Sequence, residues 1–120
     1  MRRELTDHEK KLYRGSSAVY AWIIPQVQKV ALEFGYAVAV HGSLVRDLDL
    51  LAVPWTDKAK SANKLVEAIH LRVTGGVLQP AIKQPHGRTS WAIVLDRSHF
   101  YVDLSVMARV PKRKRKKKAS

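Results

Sequence analysis

Two apolar segments of this chain carry carboxylates at positions where a strand ordinarily carries core. They are Asp47-Leu48-Asp49-Leu50-Leu51-Ala52-Val53 and Phe100-Tyr101-Val102-Asp103-Leu104-Ser105-Val106. Successive side chains of a strand point to opposite faces of its sheet, so Asp47 and Asp49 share one face. By the same rule Asp103 and Ser105 share a face, and Val102, Leu104 and Val106 line the other. Like charges held side by side are destabilising, and a buried, unpaired carboxylate costs several kcal/mol. Three such acids therefore need a reason: a solvated sheet face, a salt bridge to Arg46, Arg72 or Arg88, or a bound cation.

The rest of the chain supplies helices for such a sheet. Thr6-Asp7-His8-Glu9 has the form of a capping box and opens a helix through roughly Arg14. Gly15-Ser16-Ser17 then offers a break and a fresh cap. Val19, Tyr20, Ile23, Ile24, Val27, Val30, Ala31 and Phe34 recur three and four apart, which predicts an amphipathic helix, kinked at Pro25 and ended by Gly35. Tyr36 to Val40 reads as a buried strand, Gly42-Ser43 as a turn, and Asp47 to Val53 as a strand stopped by Pro54. Thr56-Asp57 is placed to cap a helix through about Val73, closed by Gly75-Gly76. Residues 75–87 read as loop, with Val77 and Leu78 available for a short strand. Thr89–Leu95 and His99–Met107 form two antiparallel strands turned at Asp96-Arg97-Ser98. The predicted order is α-α-β-β-α-β-β: a small α+β domain with a mixed, largely antiparallel sheet of about four strands and helices packed on one face.

With 120 residues, 46% of them hydrophobic and 27% charged, the chain suits one globular domain, expected over residues 1–110. Cysteine is absent, which excludes disulfides, thiolate zinc sites and cysteine nucleophiles. The longest apolar stretch, Ala18 to Val40, is interrupted by Pro25, Gln26, Gln28, Lys29, Glu33 and Gly35, so no membrane span is predicted. The charged start has no apolar signal-peptide core behind it, and the expected setting is a reducing compartment, the cytoplasm. The formal charge of +12 is unevenly spread. Lys112, Arg113, Lys114, Arg115, Lys116, Lys117 and Lys118 form one uninterrupted basic block. Setting these seven aside from the 22 Lys and Arg leaves 15 basic against 10 acidic residues in the body. Residues 111–120 are accordingly expected to be a disordered polybasic tail that attracts RNA or DNA phosphate without reading sequence. Nuclear localisation follows only if Pro111-Lys-Arg-Lys-Arg-Lys is an import address.

Hard carboxylate oxygens favour Mg2+, which commonly bridges substrate phosphates. Val40-His41-Gly42-Ser43 ends just before the first acid; glycine lets a backbone approach closely, and serine offers a hydroxyl and an amide to a phosphate. Arg46 stands beside this turn. Pro85-His86-Gly87-Arg88 is a second phosphate-binding candidate, with Arg88 as clamp and His86 as ligand or proton donor; Lys83 is close enough to join a basic rim. His41 at its strand end reads more as structural than as a site residue. The other histidines lack metal-ligand spacing, so no zinc site is read. Trp22, Trp55 and Trp91 read as core or rim packing. Ser-His-Asp context, a P-loop and a dinucleotide fingerprint are all absent.

The stretch Val40-His41-Gly42-Ser43 followed by Asp47-Leu48-Asp49-Leu50-Leu51, with Asp103 on a later strand, resembles the core motif of the DNA polymerase β-type nucleotidyltransferase superfamily. The chain also looks like short nucleotidyltransferase-like proteins of phage and prophage genomes. Those carry His-Gly-Ser…Arg-Asp-x-Asp-Leu, Pro-His-Gly-Arg…Trp and Tyr-x-Asp-Leu-Ser-Val-Met together, as this chain does from His41 to Met107. The resemblance implies that Gly42 and Ser43 hold an NTP triphosphate and that Asp47 and Asp49 bind Mg2+ or Mn2+. Asp103 would complete the metal site and help activate the attacking hydroxyl, making the three acids the catalytic set, with Arg46, His86 and Arg88 as further substrate ligands. The superfamily places a short helix between Gly-Ser and the first Asp, whereas Leu44-Val45-Arg46 alone does so here. The domain that normally positions base and acceptor is missing, so a protein partner supplying that surface is expected. Three readings stand: a metal-dependent nucleotidyltransferase acting on a hydroxyl of nucleic acid or protein; a catalytically inactive module of that fold that binds nucleic acid or nucleotide; and a metal-dependent nuclease or phosphohydrolase.

Overall fold

One long helix opens the fold where two are predicted. The computed structural model describes residues 7–42, 47–95 and 101–109, the side chains of 8–18 excepted. Helix α1 (Asp7–Glu33) runs without a break through Gly15-Ser16-Ser17 and through Pro25. A mid-helix glycine costs only about 1 kcal/mol, which cooperative propagation from both sides can absorb. Tyr20, Ile23, Val27, Val30 and Ala31 form the buried stripe of α1. The helix ends at Gly35 (φ +88°), a conformation that L side chains rarely adopt. The loop after β2 crosses this glycine: Trp55 N–H donates to Gly35 O at 3.0 Å and Lys60 N–H to Phe34 O at 2.9 Å.

Strands β1 (Tyr36–His41) and β2 (Asp47–Pro54) follow, antiparallel to one another. Helix α2 (Ala62–Ile69) starts later than predicted, because Ser61 rather than Thr56 is its cap: Lys64 N–H donates to Ser61 Oγ at 3.3 Å. Thr56 instead accepts from Lys58 N–H within a turn. α2 continues into one π-helical turn, His70–Thr74, closed at Gly75. Then come β3 (Val77–Leu78), β4 (Ile82–Gln84), a short turn of 3-10 helix at Pro85–Gly87, β5 (Arg88–Val94) and β6 (Tyr101–Met107).

The sheet therefore has six strands among the described residues, in the order β1-β2-β6-β5-β3 with β4 also on β5, and the element order is α-β-β-α-β-β-β-β. This corrects the predicted count of about four strands and the predicted order. β4 lies in the segment read as loop; three residues between Pro80 and Pro85 carry no alternation signal, and only their pairing with β5 makes them a strand. The α+β class and the mixed, largely antiparallel character agree with expectation. The single parallel pair among the described strands is β2 with β6. The turn predicted at Asp96-Arg97-Ser98 and the tail from Pro111 lie outside the described residues.

One face of the sheet is core. Leu48, Leu50, Ala52, Trp91, Ile93, Val102, Leu104 and Val106 are buried there against α1 and against Leu65, Val66 and Ile69 of α2. Trp91 is thus core, whereas Trp22 and Trp55 are exposed. Among the described residues no helix is long and apolar enough to cross a membrane.

Candidate functional site

The opposite sheet face brings the three carboxylates together. In the parallel β2–β6 pair Asp49 stands in register with Asp103 and Asp47 with Tyr101, while Leu48, Leu50 and Leu104 point to the core side. Registered residues of neighbouring strands project to the same face, so Asp47, Asp49, Tyr101 and Asp103 form one surface. Asp47 is buried, at 6% exposure, and Tyr101 Oη–H donates to its Oδ2 at 2.8 Å. Asp49 and Asp103 are half-buried.

Gly42 presses against this surface from the end of β1. Its φ is +83°, and a Cβ built there would stand 2.5 Å from Asp49 Oδ2. The glycine of the Gly-Ser turn is thus required twice, by its backbone angle and by the carboxylate beside it. His41 is the registered partner of Asp49 across β1–β2.

Asp103 is held above the usual carboxylate range, first by burial, then by the negative charges of Asp49 and Asp47. His41 and Arg88 pull it partly back. Arg88 reaches this face from β5: Ala92 is the partner of Asp103, and Arg88 lies an even number of residues away. Its Nε is buried and has no hydrogen-bond partner among the described residues. Buried Ser90 and Ser105, themselves in register, fill the face between Arg88 and Asp103, and Gln84 Nε2 donates to Ser90 Oγ at 3.1 Å.

The salt-bridge alternatives are partly resolved. Arg72 pairs with Glu33 at 3.0 Å and lies 5.6 Å from the centre of the Phe34 ring, away from the acids. Among the described residues no ion pair engages Asp49 or Asp103. Nor do any three His, Asp or Glu side chains among them already form a group that could hold a metal ion. The chemistry of the donor set nevertheless fits a hard cation: all-oxygen, clustered and mutually repelling.

Of the other sequence-predicted residues, His86 sits exposed in the turn before β5 with left-handed backbone (φ 65°), and no hydrogen bond or ion pair joins it to the carboxylates. Lys83 is exposed on β4. Ser43, Arg46 and the basic block Lys112 to Lys118 lie outside the described residues. Two members of the surface were not singled out by sequence reasoning. His41 read as structural, although its place one residue before Gly42 was the available signal. Tyr101 was passed over, although its parity with Asp103 puts it on the same face.

No protein-family model matches the chain, and no curated protein matches it.

Proposed function

We propose that this domain is a minimal nucleotidyltransferase of the DNA polymerase β type, transferring a nucleoside monophosphate from an NTP to a hydroxyl of a nucleic acid or protein. The observation that carries the reading is the registered pair Asp49–Asp103 on parallel strands, with Asp47 on the same face. Asp47, Asp49 and Asp103 would hold Mg2+ or Mn2+, which when bound supplies the positive charge that offsets both the clustered carboxylates and the phosphates. Gly42 and Ser43 receive the triphosphate, with Arg46 beside them. Arg88, whose Nε has no partner among the described residues, adds positive charge, and His86 at the turn before it adds a hydrogen-bonding ring. Asp103 takes the proton of the acceptor hydroxyl as the oxygen attacks the α-phosphorus. The bond from that phosphorus to the bridging oxygen breaks, and pyrophosphate leaves. The basic tail draws in nucleic acid, a partner protein completes the substrate surface, and the chain works in the cytoplasm.

A second reading, a catalytically inactive module of the same fold, is favoured by one specific observation: Asp47 is already buried and bonded to Tyr101. Calorimetry of the four NTPs with Mg2+ or Mn2+, on the wild type and on Asp49→Asn/Asp103→Asn, separates the two. Metal-dependent NTP binding that disappears in the double variant supports the transferase. NTP binding that ignores both metal and carboxylates leaves the inactive module.

A further inference from the structure

At the far end of β6 from Asp103, on the helix-covered side of the sheet, lies an open groove of about 680 Å³. Asp103 and Val106, the first groove residue on this strand, are three residues apart, so the groove begins roughly 10 Å along the strand from the carboxylates. Its floor is Tyr36, Ala59, Thr89 and Val106, and Lys58 and Arg109 supply positive charge against the single acid Asp57. Tyr36 is fixed by donating its hydroxyl to Lys60 O at 2.6 Å. Burial pushes this phenol upward, and the nearby Arg109 guanidinium pulls it partly back. Arg109 is itself tethered, donating from one nitrogen to Ala59 O at 3.3 Å. Its remaining donors are uncommitted among the described residues.

Two features bear on what fits there. The groove is open along the surface, which suits a strand laid across it better than a small molecule enclosed by it. In sequence, the basic block Lys112 to Lys118 begins three residues after Arg109. The loop that carries Lys58 carries Trp55 as well, whose indole is 62% exposed. Positive charge along a groove, with an exposed aromatic on one of the loops that line it, is a combination that can hold a phosphate backbone and offer a base a stacking surface.

We propose that this groove is a docking site for single-stranded nucleic acid, in which Lys58 and Arg109 contact backbone phosphates. The site goes beyond the nucleotidyl-transfer reading and does not depend on the carboxylates. The test is the salt dependence of binding of a fluorescent oligo-dT or oligo-U by the full chain, measured by anisotropy for the wild type, Lys58→Gln/Arg109→Gln and the charge-matched control Lys29→Gln/Lys64→Gln. Each single-strand phosphate contact contributes about 0.7 to the slope of log K against log salt, so the groove variant should lose about 1.4 from that slope and bind about tenfold more weakly. The control should keep the wild-type slope. Trp55→Ala should weaken binding and leave the slope unchanged, since stacking releases no counterions. All exchanged residues are exposed, and the thermal midpoint of each variant checks that the fold is intact. A groove variant with the slope and affinity of the control overturns the proposal and assigns the binding to the tail alone.

Discussion

Replacing Asp103 by Asn should make the metal-free protein more stable near neutral pH, although Asp103 is a proposed catalytic residue. Asp103 stands in register with Asp49, and like charges directly opposite across a strand pair oppose folding on the scale of about 0.2–1 kcal/mol. Asp47 and partial burial add to the cost of ionising Asp103, while His41 and Arg88 subtract from it. The carboxyl is half-exposed, so solvent screening keeps the total near the top of that range, about 1 kcal/mol. For a domain of this size that is a rise in Tm of about 4 °C. The pH dependence follows from the direction of the shift. A carboxyl raised above its unfolded value of 3.8 is protonated more readily in the folded state, so its ionisation lowers stability as pH climbs through that window. The gain of Asp103→Asn should thus be full near pH 7 and vanish as both folded and unfolded chains become protonated at acid pH. Thermal unfolding followed by circular dichroism in EDTA, across this pH range and at low salt, measures it. No gain at neutral pH, or a gain that grows on acidification, would refute the electrostatic account of the site. Adding Mg2+ or Mn2+ should then raise the Tm of the wild type and not that of the variant, because a ligand bound only to the native state stabilises it in proportion to occupancy.

Three further perturbations probe the positions that shape this surface. Gly42→Ala should cost about 1–2 kcal/mol from its left-handed backbone and displace the Asp49 carboxylate, so metal-dependent NTP binding measured by calorimetry should fall well beyond what the modest Tm loss explains. Tyr101→Phe removes a donor to buried Asp47 Oδ2 and should destabilise by about 1–3 kcal/mol in urea unfolding. Gly35→Ala should cost more than Gly42→Ala, about 2–3 kcal/mol in chemical denaturation, because its new Cβ would lie 2.7 Å from Ala59 Cα, a backbone atom that cannot swing aside as a carboxylate can.

Period and parity were legible in the residues. The alternation in Asp47–Val53 and in Tyr101–Met107 assigns every acid to a face before any partner strand is known, because that assignment needs only the two-residue repeat of a strand. The three-and-four spacing from Val19 to Phe34 likewise identifies the buried stripe of α1. What alternation does not encode is which strand lies beside which. The parallel pairing of β2 with β6, across 54 positions of sequence between Asp49 and Asp103, comes from packing Leu48, Leu50, Val102 and Leu104 on a common core beneath α1 and α2. The same non-local packing makes a strand of Ile82–Gln84 and brings Arg88 onto the acidic face. Sequence determined the chemistry each strand presents, since that is a local property of a repeating backbone. Only the tertiary structure decided that three carboxylates, a glycine, a histidine and an arginine form one surface, since strand order is settled by the burial of residues distant in the chain.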